Sequence, residues 1–231
     1  MRLFSLLHYN HTLYLRSFRY FPPVLLYLVI LVWVYTVVPN PVMESYAFSA
    51  TLLFAITAWL GYGFIDAEHP TQLTVTMLHA RSLVRTVIAK LLYLWLFTMP
   101  LALFAVLYPA LFHKFDRTPA AHELLLATAS HLALSLLGIA VSVFFTSRFV
   151  PKLSTAVTGL LTVVAVSVAG EGIRHALPEG ARFLGWLLPP VHAVYGALND
   201  NSGIALSCLW CGAYSLLLLA VFIRCFRRQG L

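Results

Sequence analysis

Nine histidines, a Cys-x-x-Cys pair and a small cluster of acids and bases are the residues of this chain with side chains that could do chemistry. Histidine binds metal when two or more imidazoles, or an imidazole and a carboxylate, share a helix face at i, i+3 or i, i+4 spacing. No His-x3-His or Glu-x-x-His pair falls on an apolar run, and His122 and His131, nine residues apart, do not share a face closely. His8, His11, His69, His79, His113, His175 and His192 sit at the ends of apolar runs, so scattered interfacial histidines are expected and a metal site is not. Cys208-Leu-Trp-Cys211 has redox-carrier spacing, but carriers place it at a helix N-terminus that lowers the thiol pKa. Here it opens the last apolar run and no second thiol pair accompanies it, so both cysteines read as small packing residues. Three cysteines (Cys225 is the third) are too few and too clustered for a disulfide framework. Glu171, Arg174, His175 and Glu179 could exchange protons, but they stand at the outer end of an apolar run, where water reaches them. No Gly-x-Ser-x-Gly elbow and no Gly-x4-Gly-Lys-Ser/Thr loop occurs. The chain is expected to be no enzyme, to bind no cofactor and to draw any energy it uses from elsewhere.

What must position these residues is a membrane protein. Of 231 residues, 61% are hydrophobic and only 10% charged, with a mean hydropathy of +0.86; a soluble domain carries about 25% charged residues. The sequence reads as one all-α integral membrane domain, 1–231, with six transmembrane helices. Residues 1–20 read as an amphipathic interfacial helix, with Arg2, Arg16 and Arg19 among leucines. Pro22 and Pro23 break it and open a first span to about Val38. Further spans follow at about Tyr46 to Ile65, Val87 to Phe112 (with Pro100 and Pro109 expected to kink it or shorten its outer end), Leu124 to Phe145, Leu153 to Ala169 and Ile204 to Ile223. Each is near the ~20 residues needed to cross ~30 Å of hydrocarbon. Residues 170–202, with the Pro-broken run Phe183 to Leu198, read as an outer re-entrant or interfacial hairpin with Trp186 and Tyr195 at headgroup level.

Six spans put both termini on one side. Eleven Lys and Arg then share that side with the second and fourth loops, against four (Lys114, Arg117, Arg174, Arg182) opposite. The positive-inside rule makes the richer side cytoplasmic, in a bacterial cell membrane. The net charge of +7 is spent on orientation, and nucleic acid is not an expected partner.

The densest polar stretch, Asp66 to Lys90, therefore faces the cytoplasm. Its residues 66–86 hold Asp66-Ala-Glu-His-Pro-Thr-Gln-Leu, then Leu78-His-Ala-Arg-Ser-Leu, with Ala89-Lys90 opening the next span. In this, and in the six spans, the amphipathic start and the broken segment before the last span, the chain resembles type-2 ABC exporter permeases over nearly its whole length. The family's usual Pro-x-Ser after the coupling helix reads His79-Ala-Arg-Ser82 here. The resemblance implies a membrane subunit working with a separate ABC ATPase subunit that holds ATP and Mg, two permease copies with two ATPases, and an amphiphilic or hydrophobic substrate (peptide, lipid or drug). It implies coupling residues Asp66, Glu68, His69, Thr71, Gln72, Leu73, Met77, Leu78, Arg81 and Arg85. Asp66 and Glu68 suit a helix start and Pro70 its first turn; Leu73, Met77 and Leu78 can form an apolar face, and Arg81 and Arg85 can pair with ATPase acids. Two other classes stay open: a non-transporting immunity or assembly protein that binds a cytoplasmic partner through the 66–86 loop, and a redox carrier using Cys208 and Cys211.

Overall fold

The computed structural model describes residues 3–179 and 185–228; Arg2, Arg182 and Phe183, used in the reading above, lie outside them. The described residues form ten α-helices joined by short turns: α1 (Leu3–Ser17), α2 (Phe21–Val34), α3 (Val42–Ile65), α4 (Pro70–Ala80), α5 (Leu83–Leu111), α6 (Ala121–Ser142), α7 (Leu153–Val168), α8 (Gly170–Ala176), α9 (Val191–Asn199) and α10 (Ile204–Arg228). A 3-10 turn, Val143–Phe145, extends α6. Helices satisfy their own backbone donors and acceptors, which hydrocarbon demands of anything that crosses it.

Among the described residues, four helices are long and apolar enough to cross a membrane: α3, α5, α6 with its 3-10 extension, and α10. Two bent pairs, α1 with α2 at 79° and α7 with α8 at 69°, raise the number to six if each pair is one span. At 1.5 Å per residue α2 is about 21 Å long and α7 about 24 Å, which is why neither qualifies alone. The expected boundaries shift by a few residues. The first apolar helix stops at Val34 rather than Val38, because Pro39 and Pro41 follow closely. The third begins at Leu83, where Ser82 caps it by accepting from Arg85 N at 3.2 Å. It runs through Pro100 and ends at Leu111, just past Pro109.

The buried apolar residues fall into two large cores. One gathers the end of α3 (Leu60, Phe64), the start of α5 (Val87, Leu91), Tyr14 of α1, Met77 of α4 and Phe222 and Phe226 of α10. The other gathers the start of α3 (Val42, Tyr46), Ala127 of α6, Val191, Val194 and Leu198 of α9 and Ile204 of α10. Within the segment expected to form a re-entrant or interfacial hairpin, α9 buries Val191, Val194 and Leu198, while Trp186 and Tyr195 stay exposed.

The spine of the fold is the α3/α6 contact, where small residues let two backbones approach. A Cβ on Gly61 would collide with Ser142 Oγ, and one on Gly138 with Thr57 Oγ1 and the Phe54 carbonyl. His131, expected at an interface, is fully buried in this seam; its Nε2 lies 3.0 Å from Ser49 Oγ and its Nδ1 2.7 Å from the Ala127 carbonyl. Residue counting placed it near a span end, but α6 packs that end under Tyr46 and α9. At the far end, Asn40 exchanges backbone hydrogen bonds with Lys114 and Asp116. Arg117 grips Glu123 with two N–H donors at 2.8 and 2.6 Å. Glu123 also accepts from Ala120 N, capping α6.

The outward surface explains the composition. Trp33, Leu125, Leu206 and Leu209 are each more than 70% exposed, and only 17% of the most apolar stretch of α10 is buried. A soluble monomer does not leave apolar surface uncovered on this scale. The chain is a multi-pass membrane protein.

Candidate functional site

The polar connector folds into one eleven-residue helix, α4, set between α3 and α5. It starts because His69 is extended and its ring Nδ1 accepts from Thr71 N at 3.4 Å. It stops because Arg81 turns left-handed (φ 55°), a conformation costly for a side chain with a Cβ, and hands the chain to the Ser82 cap. Leu73, Thr76, Met77 and Ala80, at i, i+3, i+4 and i+7, form the inward face; all are buried except Leu73, which is half-buried. Thr71, Gln72, Val75, Leu78 and His79 form the outward face and are exposed, as are Arg81 and Arg85 beyond it.

This splits the expected apolar face. Met77 is 4% exposed and Leu78 67%, since adjacent residues on a helix point about 100° apart. Met77 and Leu73 anchor the helix, and Leu78 is offered outward.

The two acids are also inward. Glu68 Oε2 sits 2.6 Å from Lys90 Nζ, with both side chains at most 4% exposed. Its other oxygen accepts from Tyr9 Oη at 2.7 Å and from Thr76 Oγ1 at 2.8 Å. One carboxylate thereby ties α1, α4 and α5 together. Alanine and leucine close the same junction, with Leu6 of α1, Ala80 of α4 and Ala89 of α5 in one small cluster. Burial alone raises the Glu68 carboxyl; the Lys90 charge and hydrogen bond, with those from Tyr9 and Thr76, outweigh burial and hold it below its ordinary value. Asp66, which caps the end of α3, accepts from Ser147 N at 2.7 Å and Ser147 Oγ at 3.0 Å, joining α3 to the turn after α6. Arg19 Nη1 donates to the Asp66 carbonyl at 2.9 Å and the Gly63 carbonyl at 3.3 Å.

The expected coupling residues therefore divide by role. Thr71, Gln72, Leu78, Arg81 and Arg85 are brought together on open surface, with Val75 and His79 beside them. Asp66, Glu68, His69, Leu73 and Met77 hold the helix in place. Sequence reasoning passed over Tyr9, Thr76 and Ser147, whose partners lie 59, 8 and 81 residues away. Lys90 carried a visible signal, as a lone cation opening an apolar helix.

The other candidates are locally satisfied. Cys208 and Cys211 are free thiols; Cys211 is buried in the second core and Cys208 Sγ is 3.3 Å from Ser130 Oγ. Glu171 pairs with Arg174 and His175, each at 2.9 Å, on half-exposed surface. No group of three metal-ligating side chains occurs among the described residues. No protein-family model, curated protein or solved structure matches the chain.

Proposed function

We propose that this chain is the membrane subunit of an ATP-driven exporter and that α4 is the element a cytoplasmic ABC ATPase pushes. The observation that carries the reading is the build of α4: a short rigid helix, apolar outward at Val75 and Leu78, cationic at Arg81 and Arg85, and locked to α1 and α5 through the Glu68–Lys90 pair. A plain connecting loop needs only a few residues and no buried ion pair. A peg that transmits force needs an outward face to receive it and an inward attachment to pass it on, and α4 has both. ATP and Mg belong to the partner. Two such chains with two ATPases, six spans each and both termini in the bacterial cytoplasm, would move an amphiphilic or hydrophobic substrate.

The test is co-expression with an ABC ATPase encoded beside the gene, followed by affinity capture and ATP turnover. Leu78→Asp and Arg81→Glu should reduce capture at least tenfold while the variant chains still purify as single species. If both variants capture the ATPase as the parent does, α4 is no coupling helix. Capture of a different cytoplasmic partner through the same face, with no ATPase bound, favours an immunity or assembly role instead.

A further inference from the structure

We propose that the exposed face at the end of α10 binds the phosphate group of an anionic phospholipid. At about 100° per residue, Leu217, Ala220, Val221, Arg224, Arg227 and Arg228 fall on one side of the helix, and all six are exposed. The opposite side, with Ser215, Leu219, Phe222 and Phe226, is the buried one. A groove of about 780 Å³ follows the exposed side past Ala220, Val221, Arg224, Arg227 and Arg228. It is apolar at one end and carries three guanidiniums at the other.

These charges have no partner in the chain. None of the three arginines makes an ion pair or a side-chain hydrogen bond among the described residues, and α10 contains no Asp or Glu. Like charges at i, i+3 and i, i+4 repel, so Arg224 opposes both Arg227 and Arg228, and a bound anion relieves that repulsion. A guanidinium presents a fork of N–H donors matched to phosphate oxygens, and the bonds it makes there are charge-assisted.

Depth selects a lipid over other anions. Helix α10 is apolar enough to span and opens at Ile204, so Arg224 stands roughly 30 Å along it at 1.5 Å per residue, which is the thickness of the hydrocarbon core. Arg227 and Arg228 lie about one turn beyond, at headgroup level, where juxtamembrane cations draw anionic lipid. Leu217 and Val221, 62% and 43% exposed, lie on the apolar side of Arg224, beside the acyl chains. A free anion would use the guanidiniums alone; a phospholipid covers both parts of the face. An acidic protein surface fits the guanidiniums but would have to enter the bilayer to reach Val221, which lines the same groove. The inference is independent of whether an ATPase meets α4.

The full chain, purified in neutral detergent, should be heated with phosphatidylglycerol, with phosphatidylcholine of the same chain length, or with inorganic phosphate, each shift being referenced to the same variant's additive-free midpoint. Phosphatidylglycerol should raise the midpoint by on the order of 5 °C at a hundredfold excess over its Kd; phosphatidylcholine and phosphate should not. Arg224→Gln should raise the phosphatidylglycerol concentration needed for half the shift about tenfold, and Arg224→Lys should restore part of the affinity. The triple variant Arg224→Gln, Arg227→Gln, Arg228→Gln should abolish the shift. Lys152→Gln removes an exposed cation ahead of α7 and should keep the parent's affinity; a loss there as large as in Arg224→Gln reduces the effect to net charge and overturns the site. Equal shifts with both lipids, or the parent's affinity in the triple variant, overturn the proposal. If that triple variant also loses capture of an ATPase, the face belongs to a protein partner instead. A phosphate shift as large as that of phosphatidylglycerol overturns the lipid assignment and makes this a site for free phosphate.

Discussion

A lysine and a glutamate removed from water together are tolerable only as a pair. Taking away one partner leaves an uncompensated buried charge, at a cost of about 3–5 kcal/mol, whereas replacing both with apolar or neutral groups is often close to neutral. Glu68→Gln and Lys90→Met should each lower the thermal midpoint of the detergent-solubilised chain markedly, and the double variant should recover most of the loss. A simple sum of the two losses in the double variant would show that the charges do not interact. The same carboxylate gives an acid signature. Its pKa is depressed by folding, so its contribution is complete above the unfolded value of about 4.3 and is lost as pH falls through the lower folded value. The parent should therefore lose stability on acidification in a step that Glu68→Gln lacks. At this scale the sequence was half legible. The acids near Asp66 and the basic residue opening the next helix stood out by contrast with apolar flanks. Their mutual pairing did not, because Tyr9 and Lys90 reach Glu68 only after α1 and α5 have folded against α4.

Helix α4 was legible as an element because Pro70, the Thr-rich turns and the flanking apolar blocks bound it on both sides. Its faces were misread by one residue at Met77 and Leu78, since apolar content alone does not tell which of two adjacent residues faces the protein. The α3/α6 seam was not read at all: Gly61 and Gly138 look like ordinary membrane-helix glycines until the facing Ser142 and Thr57 are in view. This contact yields a contrast between positions. Gly138→Ala must move Thr57 or the Phe54 carbonyl, and overpacking of that kind costs about 1–3 kcal/mol. Gly212→Ala meets nothing within 4 Å on α10, and should be neutral or gain up to about 1 kcal/mol through helix propensity. Paired thermal melts would check this; equal effects at the two sites would mean that the close approach is not required.

For the whole molecule, the open number is whether four helices cross or six. If only the four long ones did, residues between α6 and α10 would stay on the side where α6 ends. Yet α10 runs parallel to α6, with Cys208 Sγ 3.3 Å from Ser130 Oγ, Cys211 beside the Ala133 carbonyl and Phe222 against Phe144, so both helices start at the same end. Something must carry the chain back to that end, and α7 is the helix available; Gly170, which opens α8, lies against His192 of α9 at the far end of it. Similarly, α2 leaves Tyr20, which meets Phe97 midway along α5, and arrives at Tyr35, which meets Tyr108 near the end of α5 and Phe115 just beyond it, so it covers the second half of α5 and needs α1 to complete a traverse. If each bent pair is one span, six traverses would place both termini and α4 together, and the Lys and Arg imbalance would give that side to the cytoplasm. Single cysteines at exposed positions of a chain freed of Cys208, Cys211 and Cys225 would read this directly with an impermeant thiol reagent. Asp116→Cys and Ser202→Cys should label in intact cells, while Gln72→Cys and Lys152→Cys should label only after the membrane is opened. The decisive position is Ser202: labelling there that requires permeabilisation, while Asp116→Cys labels freely, would leave α7 short of a crossing and reduce the count.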